Sequence, residues 1–161
     1  MQKIKTEVKW ALIFVGMTLA WMVLEKVTGM TSTNIDKHYI FTNFIAIPAI
    51  AVYVFALLDK KKTDFGGNMS YKQGFISGLI ITAIVTILSP LTQYITSVII
   101  VPEYFPNIIK HAVAAGLMKQ ADAEAYFNLQ SYIVQGLIGA PIMGLITTAI
   151  VAIFTRSKSK G

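Results

Sequence analysis

Residues Ile133–Phe154 read IVQGLIGAPIMGLITTAIVAIF, and they lie within a run from Ala125 to Thr155 that contains no charged residue. A helix crosses the hydrocarbon core of a bilayer with roughly 20 predominantly apolar residues. This segment is therefore read as a membrane span. Working outward from it, the charges of the chain separate three more apolar blocks. Gly74–Val101 follows Lys72 and precedes Pro102 and Glu103, Tyr39–Leu58 lies between His38 and Asp59, and Trp10–Leu24 lies between Lys9 and Glu25. The expected spans are 8–26, 39–58, 74–98 and 132–154, in one membrane domain covering 1–161. The first block is short, so Lys5, Lys9 and Lys26 are expected to snorkel outward at its ends. Lysines before an apolar run also suit a signal peptide, but Trp10 and Trp21 bracket the block as interface anchors and no small-residue cleavage pattern follows. It is read as a retained span.

Composition agrees. Of 161 residues, 55% are hydrophobic and only 14% are charged, whereas a soluble domain carries about 25% charge. A chain of this length has too much surface to solvate with so few charges unless lipid covers part of it. The fold class is thus an all-α integral membrane protein, a bundle of four transmembrane helices. Cysteine is absent, which removes disulfides, thiolate metal sites and cysteine nucleophiles. The net charge of +6 sits in short clusters between uncharged stretches, with no basic stripe, so nucleic acid is not an expected partner.

Orientation follows from Lys and Arg in short loops. Lys3, Lys5, Lys9, Lys60, Lys61, Lys62, Lys72, Arg156, Lys158 and Lys160 make ten on one side; Lys26, Lys37, Lys110 and Lys119 make four on the other. The ten-rich side should be cytoplasmic, which puts both termini inside. The run Asp59-Lys60-Lys61-Lys62 is explained by attraction to anionic headgroups. Ser157 to Gly161 reads as a disordered tail.

Helices in lipid pack through small residues. The fourth span carries Gly136, Ala140, Gly144 and Thr148, and the third carries Gly74, Gly78, Thr82, Thr86 and Pro90, each set spaced by four. These two ridges are the expected tightest contact, although Gly and Thr are common in such helices. Pro48, Pro90 and Pro141 lie inside spans and should kink them. The third block is longer than a span requires, so it should tilt, bend near Ser89-Pro90 or project beyond the membrane around Tyr94 to Val101. Between spans three and four, residues 103–130 read as an outer helical hairpin. Pro106 marks a helix start, Ile108, Ile109, Ala112, Val113, Gly116 and Leu117 recur at helical spacing, and Ala121–Tyr132 reads as a second short helix or the beginning of span four.

Motifs for phosphate binding, zinc hydrolysis or an activated serine are missing. Polar groups at membrane depth are functional candidates by default, and five fall in the outer half: Glu25, His38, Asn43, Gln93 and Gln135. A Glu beside a His could pass protons or bind a cation. The plainer reading makes Glu25 and His38 water-contacting interface residues and makes the amides helix-bridging hydrogen bonds. Two histidines do not make a metal site, and no cofactor or enzymatic activity is expected.

The order of features has a further meaning. Trp21-Met-Val-Leu-Glu-Lys26 ends the first span, Met69-Ser-Tyr-Lys-Gln-Gly-Phe75 opens the third, Ile100-Val-Pro-Glu-Tyr104 follows it, and Gly136-x-x-x-Ala-Pro-x-x-Gly144 precedes a basic tail. This pattern resembles a family of small inner-membrane proteins of Bacteroidota, classified only as a domain of unknown function. The resemblance implies a four-helix membrane fold in a Gram-negative cell inner membrane and no particular chemistry. The expected role is a non-enzymatic accessory or scaffold subunit, packed in the lipid bilayer against another membrane protein or a second copy. The alternative is a small homo-oligomeric transporter or channel, for which the inner half supplies only Thr82, Thr86, Thr147 and Thr148 as pore-lining groups.

Overall fold

The computed structural model describes residues 4–157. Lys3, Lys158 and Lys160 of the charge count, and residues 158–161 of the expected tail, lie outside the described residues. Four helices are long and apolar enough to cross a membrane: α1 (Lys5–Val27), α2 (Ile35–Thr63), α3 (Tyr71–Ile100) and α6 (Leu129–Thr155). Between α3 and α6 lie two short helices, α4 (Tyr104–Ala114) and α5 (Gln120–Tyr126). The described residues contain no strand. The protein is an all-helical four-span membrane bundle. Its outward faces carry aliphatic and aromatic side chains such as Ile87, Leu91, Ile138 and Phe154, a surface that lipid covers and water would not.

Local chemistry sets the ends of these helices. Ser70 opens α3 with a capping box: its hydroxyl accepts from Gln73 N–H at 3.2 Å and the Gln73 side chain accepts from Ser70 N–H at 2.8 Å, so two otherwise unpaired donors are satisfied. Asn128 caps α6 by accepting from Ser131 N–H at 2.9 Å. At the far end of α1, Gly29 takes φ +74°. Gly29 N–H donates to Lys26 O at 3.0 Å and Met30 N–H to Glu25 O at 2.9 Å, the paired bonds of a Schellman stop. A side chain on Gly29 would also collide with Thr33. The stop turns the chain back and leaves Glu25 in the last turn of α1.

The most extensive helix contact is α3 against α6, and it is built from the small-residue ridges. Cβ atoms added to Gly78 and Gly144 would overlap Thr148 and Thr82 respectively, so each glycine receives a threonine from the facing helix. Gly74 faces Met69 and Ala152 in the same antiparallel register. Towards the other end the ridges part: Gly136 meets only Ser89, at ordinary contact distance.

The helical runs continue through the prolines inside the spans. Pro48 falls in the first turn of the α-helical run Ala46–Thr63, directly after a 3₁₀ turn, Thr42–Ile45. Few amide donors are needed there. Pro90 cannot donate to the Thr86 carbonyl four residues back; Ser89 Oγ donates to it instead at 2.8 Å, and α3 continues as α-helix to Tyr94. The irregularity comes later, where Ile95–Ile100 widens into a π-helix. Pro106 likewise lies in the first turn of α4, which starts two residues earlier than expected.

The two described chain ends lie at one end of the bundle, tied by Lys60 to Glu7 and by Lys61 Nζ donating to Thr155 O at 3.1 Å. Ser157, expected as the first residue of a disordered tail, is held there: its N–H donates to Met69 O at 2.8 Å and its hydroxyl accepts from Met69 N–H at 3.0 Å. This is the terminal end. The opposite one, covered by α4 and α5, is the hairpin end.

Candidate functional site

One face of α1 carries Glu7, Ala11, Phe14, Thr18, Trp21 and Glu25 at intervals of four and three residues, the repeat that keeps side chains on one stripe of a helix. Glu7, Ala11 and Glu25 are buried, so this stripe faces the bundle and carries a carboxylate at each end. Removing a carboxylate from water costs several kcal/mol unless partners replace the lost solvation.

At the hairpin end, Glu25 is fully buried. Trp21 Nε1–H donates to its Oε1 at 2.7 Å, and His38 Nε2 lies 3.1 Å from its Oε2. Trp21 stacks on Phe41 at 5.5 Å between ring centroids, so the indole is held from both sides and is more than an interface anchor. Glu25 is not in contact with water at an interface, as the plainer sequence reading had it. The Schellman turn and the first helical turns of α2 fold His38 over the carboxylate and close it off.

Beside this pair lies a cavity of about 110 Å³, walled in part by Glu25, Thr31, His38, Gln93, Ser97 and Tyr104. The π-helical turn of α3 brings Thr96 and Ser97 to its wall, and such turns recur at functional sites. Gln93 donates to Ser97 Oγ at 2.8 Å. Thr31 is nearly fully buried, its carbonyl accepts from Asn107 of α4 at 3.0 Å, and its hydroxyl has no hydrogen-bond partner among the described residues. An orphaned hydroxyl on a cavity wall is able to bond a polar ligand or water. Tyr104 and Tyr132 complete the wall, their hydroxyls 3.2 Å apart. Burial, with the Tyr132 hydroxyl and the Glu25 carboxylate nearby, raises Tyr104 above the usual tyrosine range, so its phenol stays protonated and can donate.

The chamber is the middle of three. A vestibule of about 580 Å³ at the hairpin end shares His38, Thr42, Tyr104 and Tyr132 with it. A deeper cavity of about 200 Å³ shares Met22, Gln93 and Thr96 with it and is bordered by Gly136 and Ala140, where the ridges of α3 and α6 part. Further on, Thr82 and Thr148 fill the glycine notches, and Tyr53 and Thr82 hydroxyls pair at 2.8 Å.

The terminal end has a second buried ionic cluster. Lys60 is buried and bridges both oxygens of Glu7, at 2.9 and 3.0 Å, and also pairs with Asp64. Its ammonium holds the Asp64 carboxyl below the usual range. Trp10 Nε1–H donates to Asp59 at 2.7 Å, with Lys9 on the same oxygen. The reading of Asp59–Lys62 as a headgroup anchor is therefore corrected for Lys60: the phase of α2 turns it inward with Tyr53, Ala56 and Leu57, where two carboxylates replace water.

A family model described as "Protein of unknown function (DUF4199)" matches residues 9–157. The chain belongs to this family. No curated protein and no solved structure matches it. The matched stretch includes every chamber residue named above, Lys60 and Asp64, whereas Glu7 precedes it.

Of the five polar candidates read from the sequence, the fold brings Glu25, His38 and Gln93 to one chamber. Asn43 is exposed and donates to Tyr39 O on its own helix, at the rim of the vestibule. Gln135 is exposed and bonds Tyr126 and Ser131 on the outer flank of α6. Neither amide reaches the chamber. Thr31, Ser97, Tyr104 and Tyr132 were not singled out beforehand. Among the described residues no group of three His, Cys, Asp or Glu could hold a metal ion.

Proposed function

We propose that this protein binds a small polar solute or ion in the chamber beside Glu25 and handles it as a compact transporter-like component, without catalysing a reaction. The observation that carries the reading is a fully buried carboxylate bordering a cavity, held by side-chain hydrogen bonds and joined by an orphaned hydroxyl. Intramembrane ionisable groups beside cavities mark solute and ion pathways. Vestibule, chamber and deeper cavity adjoin along shared wall residues, so movement of those side chains would admit such a solute from the hairpin end. The lysine and arginine distribution supports a cytoplasmic terminal end, and with the chain in a cell inner membrane entry is from outside.

A second reading is an accessory or scaffold subunit that packs against another membrane protein or a second copy. It is favoured by α1, whose most apolar window is only 11% buried against 33% for α3, leaving a broad face for a partner helix.

Reconstituted protein should be screened by thermal unfolding against small inorganic cations, amines, acids and polyols, because a ligand stabilises the folded state that binds it. The solute-binding reading requires saturable stabilisation by at least one class, lost in Glu25→Gln. No stabilisation by any class, with a stoichiometric foreign subunit in intact-assembly mass spectrometry from native membranes, would replace it with the accessory reading.

A further inference from the structure

Resting on that reading of the chamber as a solute site, we infer that its ligand is a small organic monovalent ammonium, of methylammonium to trimethylammonium size. Charge comes first. The chamber holds one buried carboxylate with the His38 imidazole 3.1 Å from one of its oxygens, and no Lys or Arg, the side chains of fixed positive charge, lines it. The nearest lysine in sequence, Lys26, donates to Ile100 O at 2.5 Å. An anion would face Glu25 in a low-dielectric site and is rejected.

Hydrogen-bond chemistry narrows the choice. A carboxylate has about four acceptor positions, and Trp21 and His38 occupy one on each oxygen of Glu25. The remaining acceptor capacity, with the unpaired Thr31 hydroxyl, suits N–H donors. The rest of the wall differs from what a bare metal ion needs. Hard cations require six or more oxygen ligands; this wall has hydroxyl and amide oxygens, but Ser97 is bonded to Gln93 and Tyr104 to Tyr132, and Met22, Val101 and the tyrosine rings interrupt them. The rings of His38 and Tyr104 lie 4.9 Å apart and those of Tyr104 and Tyr132 6.1 Å apart. Aromatic walls beside a carboxylate are the surroundings that select ammonium groups through cation–π attraction.

Size sets the limit. A dry cavity of about 150 Å³ admits benzene; a chamber of about 110 Å³ therefore holds a ligand somewhat smaller, of roughly four or five heavy atoms. Tetraethylammonium does not fit.

The chain contains two tryptophans, and Trp10 lies at the terminal end on Asp59. Trp10→Phe thus leaves Trp21, bonded to Glu25, as the reporter. In nanodiscs, methylammonium chloride should change Trp21 emission saturably, while sodium chloride and tetraethylammonium chloride at equal ionic strength should not. Glu25→Gln should weaken methylammonium binding at least tenfold. Thr31→Val, which removes only an unpaired hydroxyl, should weaken it about three- to tenfold without lowering the unfolding temperature; this variant decides the matter should Glu25→Gln not fold. Equal responses to sodium, or a saturable response to glycerol that survives Glu25→Gln, would overturn the ammonium assignment while leaving a solute chamber in place. No saturable response to any of these probes, with Thr31→Val changing nothing, would remove the ammonium and the solute chamber together.

Discussion

Glu7 and Glu25 lie on one face of the same helix, both buried in the bundle, and their surroundings differ in kind. Both oxygens of Glu7 are taken by the Lys60 ammonium, with Asp64 behind it. Glu25 is held by an indole and an imidazole and borders an open chamber. A buried charge met by a full opposite charge has its field cancelled locally. One held by an indole N–H and a ring without a permanent charge retains more of it, and a chamber at its side is where that field can act on a third party. The first arrangement closes the terminal end; the second leaves the hairpin end chemically unfinished.

The sharpest way to break this contrast is to remove the counter-charge at the closed end. Lys60→Met strands Glu7 in the bundle, and breaking a buried pair from one side costs about 3–5 kcal/mol. The loss should appear as a lower unfolding midpoint in detergent titration. Adding Glu7→Leu should return most of it, since replacing both partners by apolar groups is often neutral or stabilising. If the single variant is no weaker than wild type, Glu7 is not held as a charge and the distinction between the two ends fails.

Packing offers a second contrast along α3 and α6. Gly78→Ala pushes a methyl into Thr148 and should cost about 1–3 kcal/mol, the usual penalty for overpacking, in the same titration. Gly136→Ala, whose methyl meets only Ser89 at 3.8 Å beside the deeper cavity, should change stability by less than about 0.5 kcal/mol. Equal losses would mean that the two halves of the interface are equally closed.

A third variant separates binding from stability. Glu25→Gln keeps the shape of the side chain and exchanges charge-assisted hydrogen bonds for neutral ones, a difference of about 1 kcal/mol. Its unfolding midpoint should therefore fall less than that of Lys60→Met, even as ligand response is lost. A larger fall than for Lys60→Met would make Glu25 chiefly a structural group.

How much of this could be read beforehand follows from where each signal resides. The spans were legible because absence of charge is a local property of the chain, and the ridges were visible because spacing by four is local too. Glu25 and His38 stood out as ionisable groups at span ends. Glu7 shares the stripe of Glu25 but sits among Lys5 and Lys9, where it passes for an interface residue; only the stripe through Ala11, Phe14, Thr18 and Trp21 could have marked it. Lys60 is one of three consecutive lysines, and side-chain type does not say which turns inward. The spacing from Tyr53, Ala56 and Leu57 carries that information. Thr31 and Tyr104 lie in connections brought over the bundle by contacts such as Asn107 to Thr31, distant in sequence, and no local pattern announces them.

The smallest effect tests whether the closed end is held by charge. Asp64 pairs with Lys60 from the rim of the cluster, its side chain 28% exposed, so water screens it and its share is modest. Its folded-state pKa lies below the ordinary 3.8 because of the Lys60 ammonium. A depressed carboxyl contributes stability that is fully present above the unfolded pKa and fades as pH falls through the folded one. The gap in unfolding midpoint between wild type and Asp64→Asn should thus be constant above about pH 5 and shrink below about pH 4. Comparing the two chains cancels the titration of groups they share. A gap of the same size at pH 3 as at pH 6 would mean that Asp64 acts through packing or neutral hydrogen bonds. The terminal cluster would then not be the charge-closed end that sets off the open one around Glu25.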